Sequence, residues 1–163
     1  MKRLLILALL GLALTGCGQA ETFETMTDVY EEVAAQPQFL QVVLPEEAAV
    51  PTLEQGDGSL YLCDGYTLSL QTFANTSLEE AFLQTTGFSR DRLTVLHRQQ
   101  PACDRYDCAW TASGETGESV CRAVILDDGH YRYAVTVMAP AETAGELNHT
   151  WQKLLGTVGL STD

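Results

Sequence analysis

The sequence predicts an α+β domain: an antiparallel β-sheet of meander hairpins with helices covering both faces, sandwich-like. Three observations carry that expectation. Between Asp104 and Met138 three β-rich runs follow one another across very short turns, and strands joined so closely pair antiparallel. An amphipathic stretch at 141–155 follows at once and needs an apolar surface for its stripe. Both alternating sets of positions in the meander are largely apolar, whereas a sheet wetted on one side alternates apolar with polar.

In chain order, residues 1–16 read as a signal peptide. Lys2 and Arg3 precede an apolar run from Leu4 to Leu14, and Leu14-Thr15-Gly16-Cys17 closes it. The run is short for a span and ends in small residues. Its closing tetrapeptide resembles the bacterial lipobox, which implies acylation of Cys17 and a chain anchored to the membrane rather than crossing it. Removing 16 of 163 residues leaves 147, one domain's worth. Residues 17–36 read as an acidic tether and an N-terminal helix, with Phe23, Met26, Tyr30 and Val33 on one face. That helix either covers the second face of the sheet or stands as a stalk. Residues 37–163 form the single α+β domain.

The formal net charge is −13, and because Lys2 and Arg3 sit in the leader, its removal makes it −15. That sign excludes nucleic acid and anionic lipid headgroups as electrostatic partners. The charge is also uneven: no Lys or Arg occurs from Leu4 to Ser89, while Cys17 to Ser89 holds twelve Asp and Glu. Such a run is either a solvated face or a surface for a basic protein or peptide partner.

Phe39 to Leu44 is a short apolar run, and PEEAAVPTLEQGDG after it reads as a loop. Asp64-Gly65 between SLYLC and YTLSLQTF marks a hairpin. Ser77 and Glu80 form a capping box for a helix that buries Leu78, Ala81 and Phe82 and stops at Gly87. Arg92 to Arg98 is a strand. In the meander, Asp128-Gly129 as a type I′ turn sets Tyr133 opposite Val124 and Val135 opposite Arg122. The earlier turn allows two registers. A Gly114-Glu115 turn puts Cys108 opposite Cys121 and Asp107 opposite Arg122, and this is preferred because it joins a disulfide geometry to an ion pair. A four-residue GETG loop instead sets Trp110 against Cys121. Thr143 and Glu146 cap a final helix bearing Ala144, Leu147, Trp151, Leu154, Leu155 and Val158.

Four cysteines beyond Cys17 allow three disulfide connectivities. Cys108–Cys121 is favoured, with Cys63–Cys103 left over, and a zinc site from Cys103 and Cys108 is disfavoured by its spacing. His97, His130 and His149 are isolated, and Glu146-x2-His149 has no second copy. No nucleophile, base and stabiliser fall into a pattern that implies catalysis, a metal or a cofactor. Tyr61, Tyr66, Tyr106 and Trp110 are the candidate ligand surface.

The leader, the lipobox, the acidic tether and the block RYDCAWTA…VCRAVILDDGHYRYAVTVMA…ELNHTWQKLLGTVGL resemble small uncharacterised lipoproteins of Gram-positive envelopes. The order of elements from Phe39 to Leu160 is similar to the PsbP/Mog1-like sandwich, in which antiparallel strands lie between helices. The resemblance implies a binding or assembly accessory of the envelope and carries over no catalytic residue; the chain is expected to be a monomer on the extracytoplasmic face of the membrane and non-catalytic. An envelope enzyme of hydrolase type and a structural spacer are the alternatives.

Overall fold

The protein is seen in a computed structural model that describes residues 35–115 and 117–161. The leader, Cys17 and the expected N-terminal helix lie outside the described residues. In chain order the elements are β1 (Phe39–Gln41), β2 (Leu53–Gln55), β3 (Gly58–Cys63), β4 (Tyr66–Ala74), α1 (Leu78–Thr86), β5 (Thr94–Gln99), β6 (Asp104–Gly114), β7 (Gly117–Asp127), β8 (Tyr131–Pro140), α2 (Asn148–Gly156) and β9 (Gly159–Ser161). Seven strands form one antiparallel sheet in the order β2-β3-β4-β8-β7-β6-β5, and β1 pairs with β9 in a small second sheet. The architecture is α+β and dominated by the sheet.

The hairpin at Asp64-Gly65 closes as expected, with Cys63 opposite Tyr66 and Gly65 at φ 78°. Both meander hairpins close two residues away from the expected registers. At the second, Tyr133 faces Leu126 and Val135 faces Val124. Asp128 is not a turn residue there. Its carboxylate accepts the backbone N–H groups of His130 (2.9 Å) and Tyr131 (2.7 Å), which moves the turn onto Gly129, at φ 92°, and His130. At the first, Gly114 pairs with Gly117, Trp110 with Cys121 and Cys108 with Ala123. This is the register of the GETG loop. A two-residue offset leaves every side chain on its own side of the sheet, since the strand period is two. The two expected faces therefore survive while the individual pairs do not.

One face carries Tyr66, Leu68, Val124, Leu126, Tyr133, Val135 and Val137, packed with Trp151, Leu154 and Leu155 of α2. The other carries Tyr106, Cys108, Ala123, Ile125 and Ala134, packed with Phe82 of α1. The second face, which the N-terminal helix is expected either to cover or, as a stalk, to leave, is met by α1. Helix cover is partial: each helix has nine residues, about 13 Å, against a sheet of seven strands, about 28 Å across. Leu53, Leu62 and Leu96 on the outer strands stay more than half exposed.

α1 forms as the sequence dictates. Ser77 Oγ accepts the Glu80 N–H, the Glu80 carboxylate accepts the Ser77 N–H, and Gly87 ends the helix in the left-handed region. α2 starts later than expected, at Asn148. The Thr143–Glu146 capping box does not form; Thr143 Oγ1 donates to the Pro140 carbonyl, and successive tight turns carry the chain to Leu147. Gly145 lies within that stretch, where a helix loses about 1 kcal/mol relative to alanine. Ala144, Trp151, Leu154, Leu155 and Val158 are buried nonetheless. Two elements come from segments read as loop or bare apolar run. β2 pairs with β3 although all three of its residues are exposed, and β1 clasps β9.

Candidate functional site

α2 lies over the β4–β8–β7 side of its face, because Trp151 packs edge-on against Tyr66 with ring centroids 6.2 Å apart. On the same face the outer strands β6 and β5 present the short Ala109 and Thr94, which pair with each other. The result is an open groove of about 700 Å³ between α2 and β5–β6. Leu96, Ala109 and Leu155 supply its apolar surface, Asn148 and Gln152 its amides, and Arg98, Arg105, Arg122 and Asp107 its charges.

Its charged residues differ in how completely they are paired. Arg105, 5% exposed, is fully engaged. It forks onto Asp107 (Nε–Oδ2 3.0 Å, Nη2–Oδ1 2.8 Å) and donates to the carbonyls of Leu155 and Val158, both at 2.8 Å. It therefore closes the C-terminal end of α2, where unpaired carbonyls and the helix dipole favour a cation. Arg98 reaches the same carboxylate from β5 at 2.6 Å, so Asp107 separates two arginines that face each other directly across the strands. Burial pushes the Asp107 carboxyl up, but its bonds to Arg105 and Arg98 outweigh this and hold it below its ordinary value. Arg122, expected to pair with Asp107, pairs instead with Ala109 in the sheet and lays its guanidinium over the Trp151 ring, 5.8 Å from the centroid. Sequence reading singles out Asp107 with the wrong partner and misses Arg105, because in the observed register their direct neighbours on β7 are the aliphatic Val124 and Leu126; only their period-two spacing from Ala109 puts Arg105 on the groove face.

The expected aromatic surface does not assemble. Tyr61 and Tyr66 lie on the α2 face, Tyr106 and Trp110 on the α1 face. Tyr66 and Tyr106 are core residues, each 5% exposed. Tyr106 packs edge-on against Phe82 (5.8 Å) and stacks on His97 (4.6 Å).

The expected disulfides do not form either; Cys63, Cys103, Cys108 and Cys121 are all free thiols. Two residues out of register, Cys108 and Cys121 are diagonal neighbours ~7–8 Å apart, beyond bridging distance. Cys63 sits at the Tyr66 end of β4 and Cys103 beside Asp104, level with the Tyr131 end. That is ~27 Å along the strands. Burial raises all four thiols, Cys108 to about 12.

Among the described residues no three His, Cys, Asp or Glu side chains gather as metal ligands would. His97 approaches Asp104 at 3.3 Å, both well exposed, on the face opposite the groove. The acidic bias has a clear location. Glu46, Glu47, Glu54, Asp57, Asp64, Glu79 and Glu80 are all exposed, most of them at the β2–β3 side, whereas the arginines concentrate toward β5–β7.

A second polar cluster ties down the start of the described chain. The Tyr133 hydroxyl donates to Asp128 Oδ2 (3.0 Å) and accepts the Gln38 N–H (2.8 Å), while the Tyr131 hydroxyl donates to the Ala35 carbonyl (2.8 Å). Burial pushes the Asp128 carboxyl up, but the N–H groups of Tyr131 and His130, with Tyr133 and Gln38, outweigh it and hold it below its ordinary value. A carboxyl depressed on folding stabilises the native state above its unfolded pKa, and the gain is lost as pH falls through the folded one. Between pH 5 and pH 2 the Tm of wild type should therefore fall more steeply than that of Asp128→Asn. Parallel slopes in a pH series of melting curves would refute this account of the turn.

No family model matches the chain, and no curated protein matches it. Among solved structures, a crystal structure of a protein from Bacteroides thetaiotaomicron superposes with a TM-score of 0.51 at 10% identity, over 76% of this chain and 46% of that one. This chain thus spans about half the length of that protein, and the likeness is one of fold alone. Protein of unknown function PA94 from Pseudomonas aeruginosa superposes with a TM-score of 0.49 at 8% identity, over 80% of this chain and 88% of that one.

Proposed function

We propose that the protein is a lipid-anchored lipoprotein on the extracytoplasmic face of a bacterial membrane, acting as a non-catalytic binding or assembly accessory. Its domain is read as a PsbP/Mog1-like sandwich, with α1 and α2 on opposite faces of the sheet and the acylated Cys17 holding the chain to the bilayer. The observation that carries the binding reading is the separation of charge. Seven exposed carboxylates and no Lys or Arg occupy the described chain up to Ser89, and a surface of one sign steers and orients a partner of the other. The partner chemistry is a basic protein or peptide.

The test is crosslinking in intact cells with the wild-type chain and with a Glu46→Lys, Glu47→Lys, Glu54→Lys variant. These exposed substitutions should fold normally and reduce capture of a basic partner at least tenfold; unchanged capture sinks the electrostatic reading. Cys17→Ala should move the protein from the membrane fraction to the soluble fraction or leave it unprocessed. A soluble wild-type protein beginning at Gln19 or Ala20 would overturn the anchor.

A further inference from the structure

We infer that the groove between α2 and β5–β6 is a binding site for the free C-terminal carboxylate of a short peptide, with Arg122 as its anchor. The argument begins with what is left over. Arg98 and Arg105 share Asp107, so their charges are answered within the protein. Arg122 has no hydrogen-bond or ion-pair partner among the described residues; its guanidinium lies over the Trp151 ring, 5.8 Å from the centroid. It is nevertheless half-buried and lines the groove. A guanidinium left unpaired in a concave site of ligand size is a fork waiting for a planar oxyanion.

The rest of the lining narrows the class. Asn148 and Gln152 stand one turn apart on the α2 rim and offer both donor and acceptor groups, which match the N–H and C=O of a peptide. Leu96 and Leu155 flank them with apolar surface suited to side chains. Thr94 and Ala109, paired across β5 and β6, form the short-chained floor of the groove. A bare inorganic anion would use Arg122 and leave the amides and the apolar walls unused. The site is independent of the acidic β2–β3 surface, so its failure would leave the proposed accessory role standing.

Trp151 is a built-in reporter, because a carboxylate drawing the Arg122 charge away from the ring changes its emission. Trp110→Phe in the full chain, kept in detergent, isolates that signal. Acetyl-Ala-Ala-Ala with a free carboxylate should produce a saturable change in Trp151 emission. The same peptide as the C-terminal amide should bind at least tenfold more weakly, as should inorganic phosphate. Arg122→Gln should abolish the response, and Arg122→Lys should restore it in part because charge returns without the fork. Gln152→Glu, at an exposed position, should weaken binding at least tenfold by answering Arg122 internally while leaving the fold intact. Equal binding of acid and amide peptides overturns the assignment, as does phosphate binding as tightly as the acid or a Gln152→Glu variant that binds like wild type.

Discussion

Replacing Arg105 with alanine should cost about 3–5 kcal/mol, the range for removing one partner of a buried charge pair. The size of the effect follows from what the side chain leaves behind. Asp107, three-quarters buried with its side chain 27% exposed, would keep only Arg98. The Val158 carbonyl would lose its side-chain donor just beyond α2, and the Leu155 carbonyl would keep only backbone N–H groups, in a buried setting. An apolar replacement of the pair tests the origin of the loss: Arg105→Met with Asp107→Leu should lose less than Arg105→Ala alone, since no buried charge remains. Chemical denaturation of the three proteins measures both differences. A single-substitution loss below 1 kcal/mol would mean that the network contributes geometry and little energy.

Trp151→Ala should be equally severe, about 3–5 kcal/mol. The indole is fully buried at the centre of the α2 core, and its removal opens a cavity between α2 and the sheet. The edge-on contact with Tyr66 adds about 0.5–1.5 kcal/mol beyond area burial, and the stacked Arg122 loses its platform. Trp151→Phe should be much milder. The Trp151 Nε1 group has no hydrogen-bond partner among the described residues, so phenylalanine surrenders packing volume and no hydrogen bond. Denaturation midpoints for the two variants should differ widely; similar midpoints would indicate that the groove side of α2 collapses to fill the space.

How far the sequence could be read follows the physics of each signal. The Ser77–Glu80 capping box, Gly87 and the Asp64-Gly65 turn are local devices, and each forms where its residues stand. The faces of the meander were legible because period-two alternation is insensitive to a slip of two residues. The pairs across it were not, since Asp128 can serve either as a turn residue or as the side chain that closes the turn, and only tertiary context decides. The Cys108–Cys121 bridge fell with the other register, that of β6 on β7, where the chain takes the GETG alternative. β2 carries no burial signal at all, and β1 exists only because β9 returns to meet it from the far end of the chain. The groove was hidden for the same reason. Arg105, Arg122 and Asn148 come from three elements, and only the lateral position of α2, set by Trp151 on Tyr66, brings them to one place.

The clasp of β1 on β9 has a mechanical consequence. The described chain enters the domain through Ala35 and Gln38, hung on two tyrosine hydroxyls, and then through three residues paired with the last strand. A pull from the N-terminal side therefore loads the two tyrosine bonds to β8 and the short β1–β9 pairing first, before any strand pair of the seven-stranded sheet has to open. Three paired residues are fewer than any strand pair holds on the groove-bearing face, so under tension β1 should unpeel from β9 while that face keeps its shape.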